Sequence, residues 1–216
     1  MSTKETWNSV YSNDMPRIAW DDSAWTKWSI ELLSKHIGSE GNLLDYGCGT
    51  GKIAKYFMDN GFQVELADIS DVVSQQLKDK YSIPVYTVSS PKDIQNRTNY
   101  YDYIISMGVF QHVSPENWDD FLKCFYLMQK DNGLCVITGW DGEDEILNKE
   151  GISRFTHQKI YGINALSDLA IKNSYKILAT GTQKIKMDMY PEGRLFRYFV
   201  FQKEINQNMQ ILLNGL

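Results

Sequence analysis

Long apolar runs are missing from this 216-residue chain: no window of about 18 apolar residues occurs, the length that a membrane-crossing helix needs. The opening residues, MSTKETWNSVYSND, lack the basic stretch and apolar core of a secretory leader, so a cytoplasmic location with no membrane partner is expected. Cysteine is scarce. Cys48, Cys124 and Cys135 stand singly, which excludes a disulfide framework, and two of them fall in patterns of buried helix or strand. Histidine occurs only at His36, His112 and His157, none at metal-ligand spacing from a cysteine, so no metal is expected. Positive charge is also short. A net charge of -5 gives no field of the kind that holds a phosphate backbone, and nucleic acid is not an expected partner. Repeats, low-complexity tracts and linkers are absent, so residues 1–216 read as one domain of undetermined oligomeric state.

What is present suffices for a sizeable core, with 43% hydrophobic and 13% aromatic residues. After an aromatic lead, SAWTKWSIELLSKHI places Trp25, Trp28, Leu32 and Leu33 on one helical face behind Ser23 as cap. NLLDY then reads as a strand, KIAKYFMDNG as a helix closed by Gly61, FQVELAD as a strand, and SDVVSQQLKDKY as a helix capped by Ser70. The alternation continues through VYTVSS, YDYIISMGVF, a helix SPENWDDFLKCFYLMQK starting at Ser114-Pro115, and an Asn132-Gly133 turn into LCVITGW. Such alternation implies an α/β fold, a parallel sheet with helices on both faces, whose ligand lies beyond the carboxyl ends of the strands. Asp141 to Tyr161 breaks the pattern and reads as a loop or lid. A helix near Asn164 to Lys172, strands near Lys176 to Ile185 and over LFRYFVFQKE, and a helical or frayed tail complete the chain.

The loop LLDYGCGTGKIA decides what kind of ligand that is. A phosphate loop needs G-x-x-x-x-G-K-[ST]; here Gly51-Lys52 is followed by Ile53, and Tyr46 stands where the first glycine belongs. A dinucleotide turn needs a third small residue where Lys52 stands. What remains is an acid followed by alternating glycines, Asp45, Gly47, Gly49 and Gly51, with Asp68 seventeen residues further on, at the end of the next strand. Bare glycines let the backbone approach a ligand without pyrophosphate, and Asp68 is placed for two ribose hydroxyls. Both features suit a nucleoside that carries an amino acid.

From about Leu43 to Trp140 the chain resembles the class I S-adenosylmethionine-dependent methyltransferases, above all the small-molecule type. The matching pieces are LLDYGCGTGKIA, VELADIS, YDYIISMGVFQHV and DNGLCVITGW, in that order. The resemblance implies a Rossmann-like, doubly wound sheet, mostly parallel with an antiparallel last strand, plus an N-terminal helical segment. It divides the chain into a lead or lid (1–40), a cofactor core (41–140), a substrate-side insertion with the last strands (141–204) and a tail (205–216). It implies S-adenosylmethionine as cofactor, with Asp45, Gly47, Gly49 and Gly51 around its methionine part, Asp68 on the ribose and Ile69 beside the adenine. Met107 and Gly108 would line the transfer centre. Many relatives carry an acid after strand three for the adenine amino group; here Asp93 with Ile94, or a serine and backbone, would serve.

Methyl transfer needs a base only if the acceptor holds a proton that it does not shed unaided. His112 in FQHV is the candidate, set against a packing role at a strand end, and Gln111 beside it is a hydrogen-bonding candidate. Tyr11 and Arg17 in the lead are candidates for cofactor or substrate contact, set against packing on the first helix. Arg154 and Arg194 could bind a carboxylate or phosphate, and Trp140 and Asp141 occupy a pocket-rim position. The expected reaction is methylation of a small molecule at oxygen or nitrogen. Other readings are a cofactor-binding protein without transfer activity, a nucleic-acid or protein methyltransferase, and a dehydrogenase.

Overall fold

The computed structural model describes residues 2–13, 23–141, 161–188 and 190–205. Seven strands form one sheet: β1 (Asn42–Tyr46), β2 (Gln63–Asp68), β3 (Val85–Thr87), β4 (Tyr101–Met107), β5 (Gln129–Trp140), β6 (Tyr175–Met187) and β7 (Tyr190–Lys203). Their order is β3-β2-β1-β4-β5-β7-β6. Strands β1 to β5 pair in parallel, and β7 enters between β5 and β6 antiparallel to both. Among the described residues six α-helices accompany the sheet: α1 (Thr3–Asn13), α2 (Ser23–Ser34), α3 (Lys52–Asp59), α4 (Asp71–Lys80), α5 (Trp118–Met128) and α6 (Leu166–Lys172).

The central strands are apolar at successive positions because both faces are covered. Leu43, Ile105 and Val136 join a core with Trp25, Leu33, Phe57 and Val73; their neighbours Leu44, Ile104 and Cys135 join one with Leu122, Phe125, Leu166 and Phe199 on the other face. Switching from β1–β2–β3 to β4–β5 places the first crossovers on opposite sides and opens a crevice at the strand ends.

Several local expectations meet a different outcome. The lead already contains a helix, α1, ahead of the one read from Ser23. Ser70 does cap α4, its hydroxyl accepting from Val73 N at 3.3 Å. Ser114 stands at the N-cap of a short 3-10 turn, Pro115–Asn117, without a side-chain cap hydrogen bond, and α5 starts only at Trp118, whose Nε1 donates to Val113 O at 3.0 Å. Asn132-Gly133 is a kink inside β5 rather than a turn before it, with Asn132 at φ 63° and the β4 register shifting between Tyr101 and Tyr103. The stretch 142–160 and the tail from 206 lie outside the described residues. Among the described residues no helix is long and apolar enough to cross a membrane.

Candidate active site

A cavity of about 570 Å³ lies at the carboxyl ends of the strands. On one side Tyr46 and Gly47 come from the end of β1, Asp68 and Ile69 from the end of β2, and Val88, Ser89 and Ser90 from the segment after β3. Gly47 follows β1 at φ +77°, and its N–H donates to Ala67 O at 2.7 Å, which ties the turn to β2. A Cβ on Gly47 would stand 2.2 Å from Val109 Cγ2, so both conformation and space require glycine there. Gly49 and Gly51 are also left-handed, at φ +51° and +74°.

Asp68 holds this turn together. Its Oδ2 accepts from Gly49 N at 3.0 Å and its Oδ1 from Ser70 N at 2.9 Å. Burial pushes its pKa up, and the backbone donors of Ser70, Gly49 and Ile69 oppose that shift. The carboxylate keeps acceptor capacity for a ligand beyond these backbone donors. Asp45 is buried beneath the turn, and burial followed by the charge of Asp68 raises its pKa to about 8. It is therefore largely protonated at neutral pH, and a cation arriving nearby would favour its ionised form.

The other side is made of side chains. Trp7 and Tyr11 reach in from α1 and Trp25 from α2; Met107 and Gly108 end β4; Trp140 ends β5; Met187, Tyr190 and Phe196 come from the β6–β7 hairpin. Gln111 and His112 sit in a 3-10 turn after β4, where Gln111 O accepts from Tyr161 N at 2.9 Å. Gln111 Nε2 lies 3.2 Å from His112 Nε2, and the His112 ring meets Trp7 edge-on at 5.1 Å. Burial pushes the His112 pKa down to about 4, which keeps the imidazole neutral at pH 7. Among the described residues, Gln111 Oε1 and His112 Nδ1 are shielded from solvent and lack a hydrogen-bond partner. Such an unmet group costs about 1–3 kcal/mol.

Of the residues singled out in the sequence, Gly47, Asp68, Ile69, Met107, Gly108, Gln111, His112, Tyr11 and Trp140 meet on this cavity. Asp45, Gly49 and Gly51 are not on its wall. Asp93 is turned toward backbone, its Oδ2 accepting from Ser89 N at 2.6 Å and Ser90 N at 3.0 Å, and Ile94 is buried in the core. Ser89 and Ser90 reach the cavity instead. Asp141 is engaged by Arg197 Nε at 2.8 Å. Arg194 lies behind the wall, its guanidinium 4.7 Å from the Trp140 ring and 4.9 Å from the Tyr190 ring. Arg17 and Arg154 lie outside the described residues. Thr3, Trp25, Phe121, Met187, Tyr190 and Phe196 line the cavity without having been singled out as site residues. Apart from Thr3, an exposed polar residue of α1, their sequence pattern is that of core positions, and only the fold turns them inward. Among the described residues no three histidine, cysteine or acidic side chains group as metal ligands.

Residues 20–180 match the methyltransferase domain family. The chain belongs to that family, within the class I S-adenosylmethionine-dependent methyltransferase superfamily. It is 27% identical over 137 residues to an uncharacterized methyltransferase of Staphylococcus carnosus, covering 62% of this chain and 64% of that one. It is 27% identical over 132 residues to a cyclopropane-fatty-acyl-phospholipid synthase of Escherichia coli, covering 61% of this chain and 34% of that one. The match thus spans less than two thirds of either relative's length. A Burkholderia thailandensis 1,6-didemethyltoxoflavin-N1-methyltransferase, solved with 1,6-didemethyltoxoflavin and S-adenosylhomocysteine, shares the fold at TM-score 0.69 and 15% identity, over 95% of this chain and 92% of its own. A structure solved in work on the conversion of a disulfide bond into a thioacetal group during echinomycin biosynthesis superposes at TM-score 0.73 and 17% identity, over 99% of this chain and 98% of its own.

Proposed function

We propose that the protein transfers a methyl group from S-adenosylmethionine to a small-molecule acceptor, at oxygen or nitrogen. The observation that carries this reading is the juxtaposition of the Gly47 turn and Asp68 with an aromatic chamber in one cavity. The residues present fit the cofactor: Gly47 brings bare backbone to the cavity wall, Asp68 keeps acceptor capacity for a ribose, and Asp45 is a buried carboxyl that a cationic amine would ionise. Ile69 and the Val88–Ser90 segment would border the adenine, with Asp93 holding that segment by its backbone. When bound, S-adenosylmethionine supplies an electrophilic methyl group on a positively charged sulfur.

The chain itself mainly has to orient the acceptor and exclude water, and positioning of this type supplies roughly 7–11 kcal/mol of a barrier. Trp7, Tyr11 and Trp25 shield the cavity on the N-terminal side, and Gly108 admits the acceptor near the end of β4 because it carries no side chain. His112, neutral at pH 7 and of low basicity, hydrogen-bonds the acceptor and takes its proton only as the attacking atom turns acidic during transfer.

Calorimetric titration of the full chain with S-adenosylhomocysteine and with NAD tests the cofactor, and a panel of hydroxyl and amine acceptors with labelled methyl donor tests transfer. Saturable S-adenosylhomocysteine binding together with label in a small molecule is expected. Binding of NAD alone would sink the reading.

A further inference from the structure

We propose that the acceptor is an uncharged, planar ring system that presents one hydrogen-bond donor and one hydrogen-bond acceptor at its edge. This rests on the methyltransferase reading and names the substrate class of the same cavity. The first observation is the wall. Trp25 and Phe196 touch with centroids 4.7 Å apart, Trp140 and Tyr190 at 6.1 Å, and Trp7 braces His112 at 5.1 Å. These contacts tie α2 and β5 to β7, and α1 to the 3-10 turn after β4, so that the rings around the cavity are held by one another. Flat rings with two side-chain torsions present large, stiff surfaces, which complement another ring at small entropic cost.

Charge is the second observation. Among the described residues the cavity wall carries no lysine or arginine, and its one carboxylate, Asp68, belongs to the cofactor side. An aromatic chamber without charge could in principle hold a quaternary ammonium. Here, however, the Trp140 and Tyr190 rings already serve a cation, the Arg194 guanidinium at 4.7 and 4.9 Å.

The polar end supplies the third. Gln111 is 8% exposed, and its amide and the His112 imidazole satisfy each other once, through the 3.2 Å contact. With the amide N–H donating to His112 Nε2, the imidazole proton sits on Nδ1, which leaves one unmet donor there and one unmet acceptor at Gln111 Oε1. Turning the amide over reverses both roles and leaves the same sum, one donor and one acceptor; it also frees the Nδ1 lone pair, and this is the arrangement in which His112 takes the acceptor's proton. A hydrocarbon chain offers nothing to either group, whereas the lactam edge of a heterocycle matches both.

The test uses the full chain saturated with S-adenosylhomocysteine and three probes: 2-quinolone, choline and dihexanoylphosphatidylcholine. The expected result is one-site binding of 2-quinolone, about tenfold or more tighter than either other probe. Its proton resonances should shift upfield by ring currents, a readout that needs no variant. Gln111→Leu should weaken 2-quinolone about tenfold and leave S-adenosylhomocysteine affinity within about threefold. Tighter binding of choline or the phospholipid, or 2-quinolone binding undiminished in Gln111→Leu, overturns the proposal while the methyltransferase reading stands. Failure of the wild-type chain to bind S-adenosylhomocysteine overturns both.

Discussion

The two sides of the cavity are built from different materials. The side at the ends of β1, β2 and β3 is backbone: a left-handed glycine at Gly47, N–H groups collected by Asp68, and a segment pinned by Asp93. The side at the ends of β4, β5 and β7 is side chain: Trp7, Trp25, Trp140, Tyr190 and Phe196, gathered from four elements. A backbone wall tolerates few sequences, because each turn dictates its residue. A side-chain wall accepts many, because any ring of suitable size closes it.

The sharpest way to break this contrast is Gly47→Ala. The new Cβ meets Val109 in a conformation that disfavours any side chain, and we expect about 3 kcal/mol lost, read by chemical denaturation, with S-adenosylhomocysteine affinity down by more than about 100-fold. If Gly47→Ala binds as well as the wild type, the backbone wall does not have the stringency assigned to it. His112→Ala attacks the opposite side. Its expected signature is a kcat about 100-fold or more lower with S-adenosylhomocysteine affinity unchanged, measured by steady-state kinetics and calorimetry; a joint loss of both would erase the division between the two walls.

Asp45→Asn separates the floor of the turn from its surface by way of pH. Because the folded pKa of about 8 lies above that of the unfolded chain, the ligand-free protein loses stability as pH rises from about 4 to 8 and levels off beyond. His112 acts in the opposite sense: its folded pKa of about 4 gives stability that is present above pH 6.5 and lost as pH falls toward 4. Subtracting wild-type from Asp45→Asn unfolding energies isolates the Asp45 contribution, and the variant should gain on the wild type by about 1.4 kcal/mol for each pH unit over most of that range. A flat difference would mean that Asp45 is ionised without ligand. The smallest effect concerns the strap that links the two sides. Asn8 of α1 accepts from Ser70 Oγ at 2.8 Å and Asp71 N at 2.9 Å, and Lys4 pairs with Asp71 at 2.9 Å. Asn8→Ala should cost about 1 kcal/mol and speed S-adenosylhomocysteine release several-fold in stopped-flow fluorescence.

The same contrast explains what could be read in advance. The βα alternation, the Ser70 cap and the spacing of Asp45, the glycines and Asp68 are local or nearly so, and each has a residue-level signature. Trp25 reads as the core face of an amphipathic helix, and Phe196 as one apolar residue in a buried strand. Nothing in either pattern tells core from cavity wall, since that depends on where β7 enters the sheet. Asp93 shows the converse: an acid at the expected place is consumed by a capping box with Ser90, a choice made by backbone donors within four residues. Asp141 and Arg194 meet partners across the β5–β7 pairing, namely Arg197 and the Trp140 ring, which no local window contains.

The β6–β7 hairpin carries a consequence for how such a protein can diversify. Met187 and Tyr190 pair across its closed end, and both look into the cavity, while the register from Thr180 to Tyr175 holds the far end to the sheet. Lengthening or recolouring that tip would reshape the acceptor chamber without disturbing a single contact of the Gly47 turn. The fold thus places its most editable joint beside its least editable one, so that new acceptors can be acquired while the methyl source is kept.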